Sequence, residues 1–432
     1  MCKIKVKYFG PIKEGYAEND GWLDINKVTV FIGDQASGKS TLAKLVSIFL
    51  WLEKSIVKHT LPIEVLNTDI FKRLCIQQEI YEYFSSDTLI AFKGTVYEFE
   101  YNEQKSSFVG KYIEDALSKY IMPKIQYVSA ARNLLTILYN IKTPNVIDKE
   151  GNLIDSSGIP YMVRDLNYEY IRGLQKFAKD GFELPINDTK VYFENHNTFI
   201  KTKDKRVSMS SAASGIQSIT PLLVVSKFLS DEVNKDIFEK IQTLEPQLLK
   251  IIEHELLTES QELHSKFKQI VAFGSGILNK DEAERELIKR LLKYIPSSFV
   301  NVVEEPEQNL FPVSQQSVIN QLLEYNNSIV DNKLIITTHS PYIIGYLSLA
   351  VKAYQVLNKS KNEHNKSEIN KIVPITSSFD GSGLNIYELD ASDGTIGKLE
   401  DYNGIPLATN YLNRELAIKN EQYAQLLDLE DE

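Results

Sequence analysis

Apolar and charged residues alternate from the first positions of the chain: Ile4, Val6 and Tyr8 are spaced by lysines, the two-residue period of a half-buried strand. Glycine, proline and acidic residues break that pattern over residues 10–22. Lys27 to Ile32 is then a compact β-branched run suited to a fully buried strand. From Ser40 the period becomes helical, with Leu42, Leu45, Val46 and Phe49 on one face. Residues 70–84 read as a helix, 95–101 and 106–113 as short strands, and 125–135 as a strand leading into a helix. A turn-rich stretch, 145–160, reads as a loop. Residues 208–218 form a small polar loop before a helix starting near Ile219, and 230–295 are helical and charge-rich. Two apolar strands follow, one ending at Glu304 and Glu305, the other at His339. Residues 358–370 read as a polar loop, 384–390 as a strand and the tail from Asn413 as an acidic helix. Strands and helices alternating in this way predict an α/β class.

Composition narrows the setting. The chain has 432 residues, 43% hydrophobic and 25% charged, enough to bury a core without staples. Only Cys2 and Cys75 occur, with no metal-ligand spacing around either, which fits a reducing cytoplasmic compartment. No signal-peptide core opens the chain, and its longest apolar stretch, near residues 42–52, is broken by Lys44, so no membrane embedding is expected. A net charge of −10 argues against a global field for nucleic acid. The basic run from Lys201 to Arg206 reads first as a solvated hairpin tip, with DNA phosphate contact as the other reading.

The residues that carry chemistry lie at element ends. Gly33, Asp34, Gln35, Ala36, Ser37, Gly38, Lys39 and Ser40 fit G-x-x-x-x-G-K-[ST] between a strand and a helix, and Thr41 follows. Glycines there let backbone N–H groups curl around a polyphosphate, Lys39 reaches the β- and γ-phosphates, and Ser40 offers a hydroxyl to Mg²⁺. Two acids on one strand end suit separate tasks: Glu304 for the metal, Glu305 for the attacking water. His339, one strand-and-helix unit later, is placed to meet the γ-phosphate. Ser214, Gly215 and Gln217 precede an apolar helix and form either an anion pocket or a plain cap. The other five histidines lack such context.

In this order the motifs resemble those of ABC-type ATPases, and within them the SMC-like and OLD-like branch. The segments that carry the resemblance are IKVKYFGPIK, FIGDQASGKST, IQYVSAARNLL, ASGIQS, VVEEPEQNLFP and IITTHSPYII, spanning Ile4 to Ile344. The resemblance implies a P-loop NTPase fold with an ABC-type head over 1–229 and 296–432, a β-rich and helical lobe within it over 60–120, and a helical insertion over 230–295. It implies ATP and Mg²⁺ as cofactors and a head-to-tail homodimer, or higher homo-oligomer, that traps ATP between Lys39 of one copy and Ser214 of the other. It assigns Glu304 to the metal, Glu305 to catalysis, His339 to γ-phosphate sensing and Asn309 to the opposite site, with Gln126 or Arg132 in the place of a Q-loop residue. The signature departs from the family pattern, reading AASGIQ where LSGGQ is usual, and the helical insert follows the signature. OLD-like nucleases carry a Toprim domain after the histidine strand; too few residues follow His339 for one, and Asp390 and Asp393 read as a polar turn, so no nuclease is expected. Stand-alone ATPases of this kind resemble the ATPase halves of antiphage pairs such as PARIS and Septu, which implies a separately encoded effector, a nuclease or toxin. The alternatives are a DNA repair or chromosome-maintenance ATPase and a nucleotide-gated scaffold with little turnover.

Overall fold

A computed structural model of the chain describes residues 2–138, 161–195, 197–202, 205–242, 244, 246–273, 282–359, 363–407 and 410–430, with 146–147 and 153–154. At its centre lie five parallel strands: β1 (Val28–Gly33), β2 (Pro123–Val128), β3 (Ser298–Glu304), β4 (Lys333–Thr338) and β5 (Leu384–Leu389). Their spatial order is β5-β1-β4-β3-β2. Thr395–Lys398 adds to β5 in antiparallel sense and Gly15–Tyr16 pairs with it in turn, making a mixed sheet of seven strands. Every residue of β1 and β3 is buried, which is why both read as apolar runs without alternation.

The two faces bury different sets. Val28, Val30 and Ile32 join Val303, Leu334 and Ile336 on the face covered by helix α2 (Ser214–Asn234) through Leu222 and Leu223. Phe31, Val302 and Ile335 lie on the other, covered by helix α1 (Lys39–Val57). The outer side of α1 meets an antiparallel sheet of five strands, Leu23–Ile25, Cys2–Phe9, Phe84–Lys93, Tyr97–Asn102 and Ser107–Tyr112. Phe49 stacks on Phe92 there at 5.2 Å. Glu53 fixes the helix to that sheet, its carboxylate accepting from Val96 N (2.7 Å) and Tyr97 N (3.0 Å). The four helices Ile237–Gln242, Pro246–Glu259, Gln261–Phe273 and Glu282–Leu291 gather an apolar cluster of their own around Ile252, Phe267 and Leu287.

Two local readings change. The helix expected over 70–84 occupies Thr68–Gln77 and stops where Glu79 turns left-handed, at φ 55°, after which a 3₁₀ turn leads into the Phe84–Lys93 strand. Residues 358–370 are not a loop throughout: Asn358 and Lys359 end one helix and Glu363–Ile372 form another. That second helix has only Ile369 and Ile372 as apolar residues, too few to read as an apolar stripe. The loop expected over 145–160 lies outside the described residues apart from the ladder of Val146–Ile147 with Leu153–Ile154. Lys203 and Asp204 of the basic run also lie outside them, while Arg206 pairs with Glu194 at 2.6 Å and lies over the Phe199 ring. Asp390 and Asp393 each accept bonds from residues two further on, as polar turns do. No helix among the described residues is long and apolar enough to cross a membrane.

Candidate functional site

The register of the sheet brings the marked residues to one edge. Glu304 pairs with Thr337 and Thr337 with Phe31, so β3, β4 and β1 end side by side. In an open parallel sheet this carboxyl edge is where ligands bind.

Leaving β1, Gly33 adopts φ +142°, and a Cβ there would lie 2.2 Å from the Leu389 carbonyl oxygen. Gly38, at φ +100°, closes the loop against Ile12, whose Cγ1 a Cβ would meet at 2.9 Å. Both positions therefore require glycine. Between them Asp34, Gln35 and Ala36 are exposed, Ala36 in the left-handed region at φ 61°. Lys39 opens α1, is 5% exposed, and turns its ammonium back onto the Gly33 carbonyl (2.9 Å) and the Asp34 carbonyl. Burial pushes its pKa down to about 8 against the pull of Glu305, Asp34 and Glu307. Thr41 is buried, and Ser40 is partly exposed in the first turn. Lys44, one turn further along, is held below the ordinary lysine range by burial, with Glu304 pulling the other way.

Glu304 and Glu305 have different surroundings. Glu304 is 7% exposed, and its carboxylate accepts from the Tyr127 hydroxyl (2.5 Å) and Ala130 N (2.9 Å). Burial and the neighbouring Glu304 hold the Tyr127 phenol well above its usual range, so it donates and stays neutral. Glu305 leaves the strand in the left-handed region, φ 43°, and is half-exposed. Backbone of this kind persists where its surroundings over-determine it. Here the fully buried Arg132 supplies that constraint: its guanidinium donates to the Glu304 carbonyl (2.6 Å), the Glu305 carbonyl (2.6 Å) and the Ser218 carbonyl (3.1 Å).

His339 bridges the acids and the glycine loop. Nδ1 lies 3.1 Å from the Gly33 carbonyl oxygen and Nε2 3.2 Å from Glu305 Oε1. Its bond with His339 holds the Glu305 carboxyl below the ordinary range, helped by Arg132 and Lys39. Behind His339, Glu307 Oε1 accepts from Thr338 Oγ1 (2.7 Å) and His339 N (2.8 Å), while Oε2 is buried with no hydrogen-bond partner among the described residues. Burial raises the Glu307 carboxyl above its usual value. Neither Glu307 nor Tyr127 was distinguished by the sequence: EEPE reads as an acidic turn, and Tyr127 reads as one more apolar residue of a strand.

The structure places the remaining expected residues elsewhere around this centre. Helix α2 begins at Ser214, so Ser214, Gly215 and Gln217 form its first turn rather than a loop ahead of it. A Cβ on Gly215 would lie 2.7 Å from the Asn309 carbonyl oxygen, which puts the exposed Ser214 and Asn309 on one face. Gln217 turns inward, its amide donating to the carbonyls of Met209, Ser210 and Ala212. Arg132 holds backbone, as described. Gln126 is buried away from the glycine loop, its amide 3.3 Å from Asp165 Oδ2. Among the described residues no group of three His, Cys, Asp or Glu side chains forms a self-sufficient metal site. Ser40 and Glu304 are hard oxygen donors of the type that fits Mg²⁺, which takes few protein ligands and completes its shell with phosphate oxygens and water.

Solved structures similar to the chain at low identity include two SMC heads. One is the SmcHead bound to the C-winged helix domain of ScpA: 10% identity and a TM-score of 0.39, covering 92% of this chain and 96% of that one. The other is the SMC head domain from Thermotoga maritima: 9% identity and a TM-score of 0.37, covering 93% of this chain and 98% of that one. No family model matches the chain, and no curated protein does.

Proposed function

We propose that the chain binds and hydrolyses ATP with Mg²⁺, as an ABC-type head that closes around nucleotide with a second copy. The observation that carries this reading is the link through His339, which joins the glycine loop to Glu305 on one sheet edge. Residues 33–41 wrap the phosphates with backbone N–H groups at the positive end of α1. Lys39 exchanges the Gly33 and Asp34 carbonyls for β- and γ-phosphate oxygens, which also favours its charged form. Ser40 and Glu304 hold Mg²⁺, which neutralises phosphate charge when bound. Glu305 orients the attacking water and takes its proton as the water oxygen bonds to the γ-phosphorus and ADP leaves. His339 donates to the γ-phosphate and keeps Glu305 ionised until then.

Exposed apolar side chains around this edge support closure by a second copy: Phe311 is 75% exposed, Val313 67% and Tyr342 51%. Ser214 and Asn309, on their shared face, then meet the nucleotide held by the partner. On the motif resemblance, the output is control of a separately encoded nuclease or toxin in antiphage defence. The test is light scattering of the Glu305→Gln variant with and without Mg-ATP, followed by a pull-down with the products of neighbouring genes. An ATP-dependent dimer that retains a stoichiometric protein partner is the expected result. A monomer under all conditions overturns the closure, and DNA in place of a protein partner moves the function to DNA maintenance.

A further inference from the structure

A second pocket, of about 290 Å³, lies where the helices of residues 237–295 meet the core. Four cations line it, each from a different element: Lys58 at the C-cap of α1, Lys124 on β2, Arg172 on the Tyr161–Phe177 helix and Lys240 on the Ile237–Gln242 helix. Leu248 and Tyr294 stand on its apolar wall. Lys240 lies near Asp236 and Glu232, but the acids beside the other three do not balance them. Lys124 (2.7 Å) and Arg172 (3.0 Å) share one carboxylate, Glu169. Glu232, on the wall, lies within 2.7 Å of Lys235 and 3.6 Å of Lys176. Asp165 is buried, which raises its carboxyl toward the neutral form. The ammonium groups of Lys58 and Lys54, one turn apart on α1, make no hydrogen bond or ion pair among the described residues. Burial, together with Lys124 and Lys58, lowers the Lys54 ammonium to about 7, while Asp165 and Glu169 pull it upward. Cations crowded in this way repel one another until an anion joins them.

We propose that this pocket binds a phosphorylated small molecule of nucleoside-monophosphate size, with its phosphate among Lys58, Lys124 and Arg172 and its organic part against Leu248 and Tyr294. A guanidinium fork and two ammonium groups suit a phosphate dianion better than a single carboxylate. The site is separate from the proposed ATP site: α1, with its 19 residues, puts the glycine loop at one end and Lys58 at the other, about 28 Å apart at 1.5 Å per residue. Ligand at this seam would also tie the 237–295 helices to the helix that carries the glycine loop.

The test is calorimetric titration of AMP and of inorganic phosphate into the intact chain and its Lys39→Ala, Lys58→Glu and Lys58→Gln variants. The expected result is sub-millimolar AMP binding that Lys39→Ala leaves within about threefold, and that Lys58→Glu weakens at least about tenfold. Lys58→Gln weakens it by a smaller factor while melting like the unaltered chain without ligand. Binding that survives Lys58→Glu, that is abolished by Lys39→Ala, or that is absent from the unaltered chain at several millimolar AMP and phosphate overturns the proposal. ATP titrated into the same samples reads the glycine loop separately, because failure there leaves the Lys58 comparison intact.

Discussion

Glu305 and His339 face each other across the ends of adjacent strands, Oε1 and Nε2 3.2 Å apart. On its other side the ring meets the Gly33 carbonyl, which only accepts. The ring thus reaches the loop backbone with one nitrogen and the carboxylate with the other. The pair is therefore a direct link between the glycine loop and the acid at the end of β3.

Removing that link separates catalysis from binding. His339→Ala is expected to slow ATP hydrolysis at least about tenfold and to change ATP affinity by less than about threefold. Single-turnover rates alongside equilibrium binding check this. Equal losses in both would place His339 in ground-state binding instead.

On the proposed function, Tyr127 positions the carboxylate that would hold the metal. Tyr127→Phe removes the buried hydroxyl that orients the carboxylate, at a cost of about 1 kcal/mol in stability. The expected kinetic effect is a rise of about 10-fold in the Mg²⁺ concentration for half-maximal hydrolysis, with the maximal rate recovered at high Mg²⁺. A magnesium titration of both proteins decides it.

Arg132 is the constraint on the strained end of β3. Replacing it with Met leaves the Glu304, Glu305 and Ser218 carbonyls without their donor and is expected to cost about 3–5 kcal/mol by urea unfolding. Lys at this position keeps the charge but cannot reach all three carbonyls, so it should recover only part of the loss.

Glu307 gives a pH signature. Its carboxyl is raised in the folded chain, so the stability it contributes is present below the unfolded value of about 4.3 and is lost as pH rises through the folded value. Glu307→Gln removes the cost of the ionised form. At pH 7.5 the variant is expected to melt about 2–4 °C above the unaltered chain, and the gap should close near pH 4. A gap that does not change with pH would show that the carboxyl is not titrating against folding.

Much of this centre was legible in the chain because its residues sit at changes of period. Gly33 and Gly38 interrupt a strand and a helix, and Glu304, Glu305 and His339 each end an apolar run. Residues that act through side-chain contact across the sheet were not legible. Tyr127 follows a strand's pattern, and only the β2–β3 register brings its hydroxyl to Glu304. Arg132 was placed beside a Q-loop role because sequence order says nothing of depth, whereas the fold buries it completely behind the acids. The Phe84–Lys93 strand was not legible: Tyr81 and Tyr83 prolong an amphipathic pattern to residue 84, past Glu79, where the backbone reverses, and residues 85–93 carry no clear period of their own.

On the proposed function Glu305, at the end of β3 beside the glycine loop, is the catalytic base of a Mg²⁺-dependent ATPase. The most direct test of that role is phosphate release from ATP by the unaltered chain, Glu305→Gln and Lys39→Ala, with ATP binding measured in parallel. Mg²⁺-dependent release by the unaltered chain is the expected result. Glu305→Gln should bind ATP normally and release phosphate at least about 100-fold more slowly, and Lys39→Ala should lose binding itself. Release by Glu305→Gln at the unaltered rate, or no ATP binding by the unaltered chain, would contradict it.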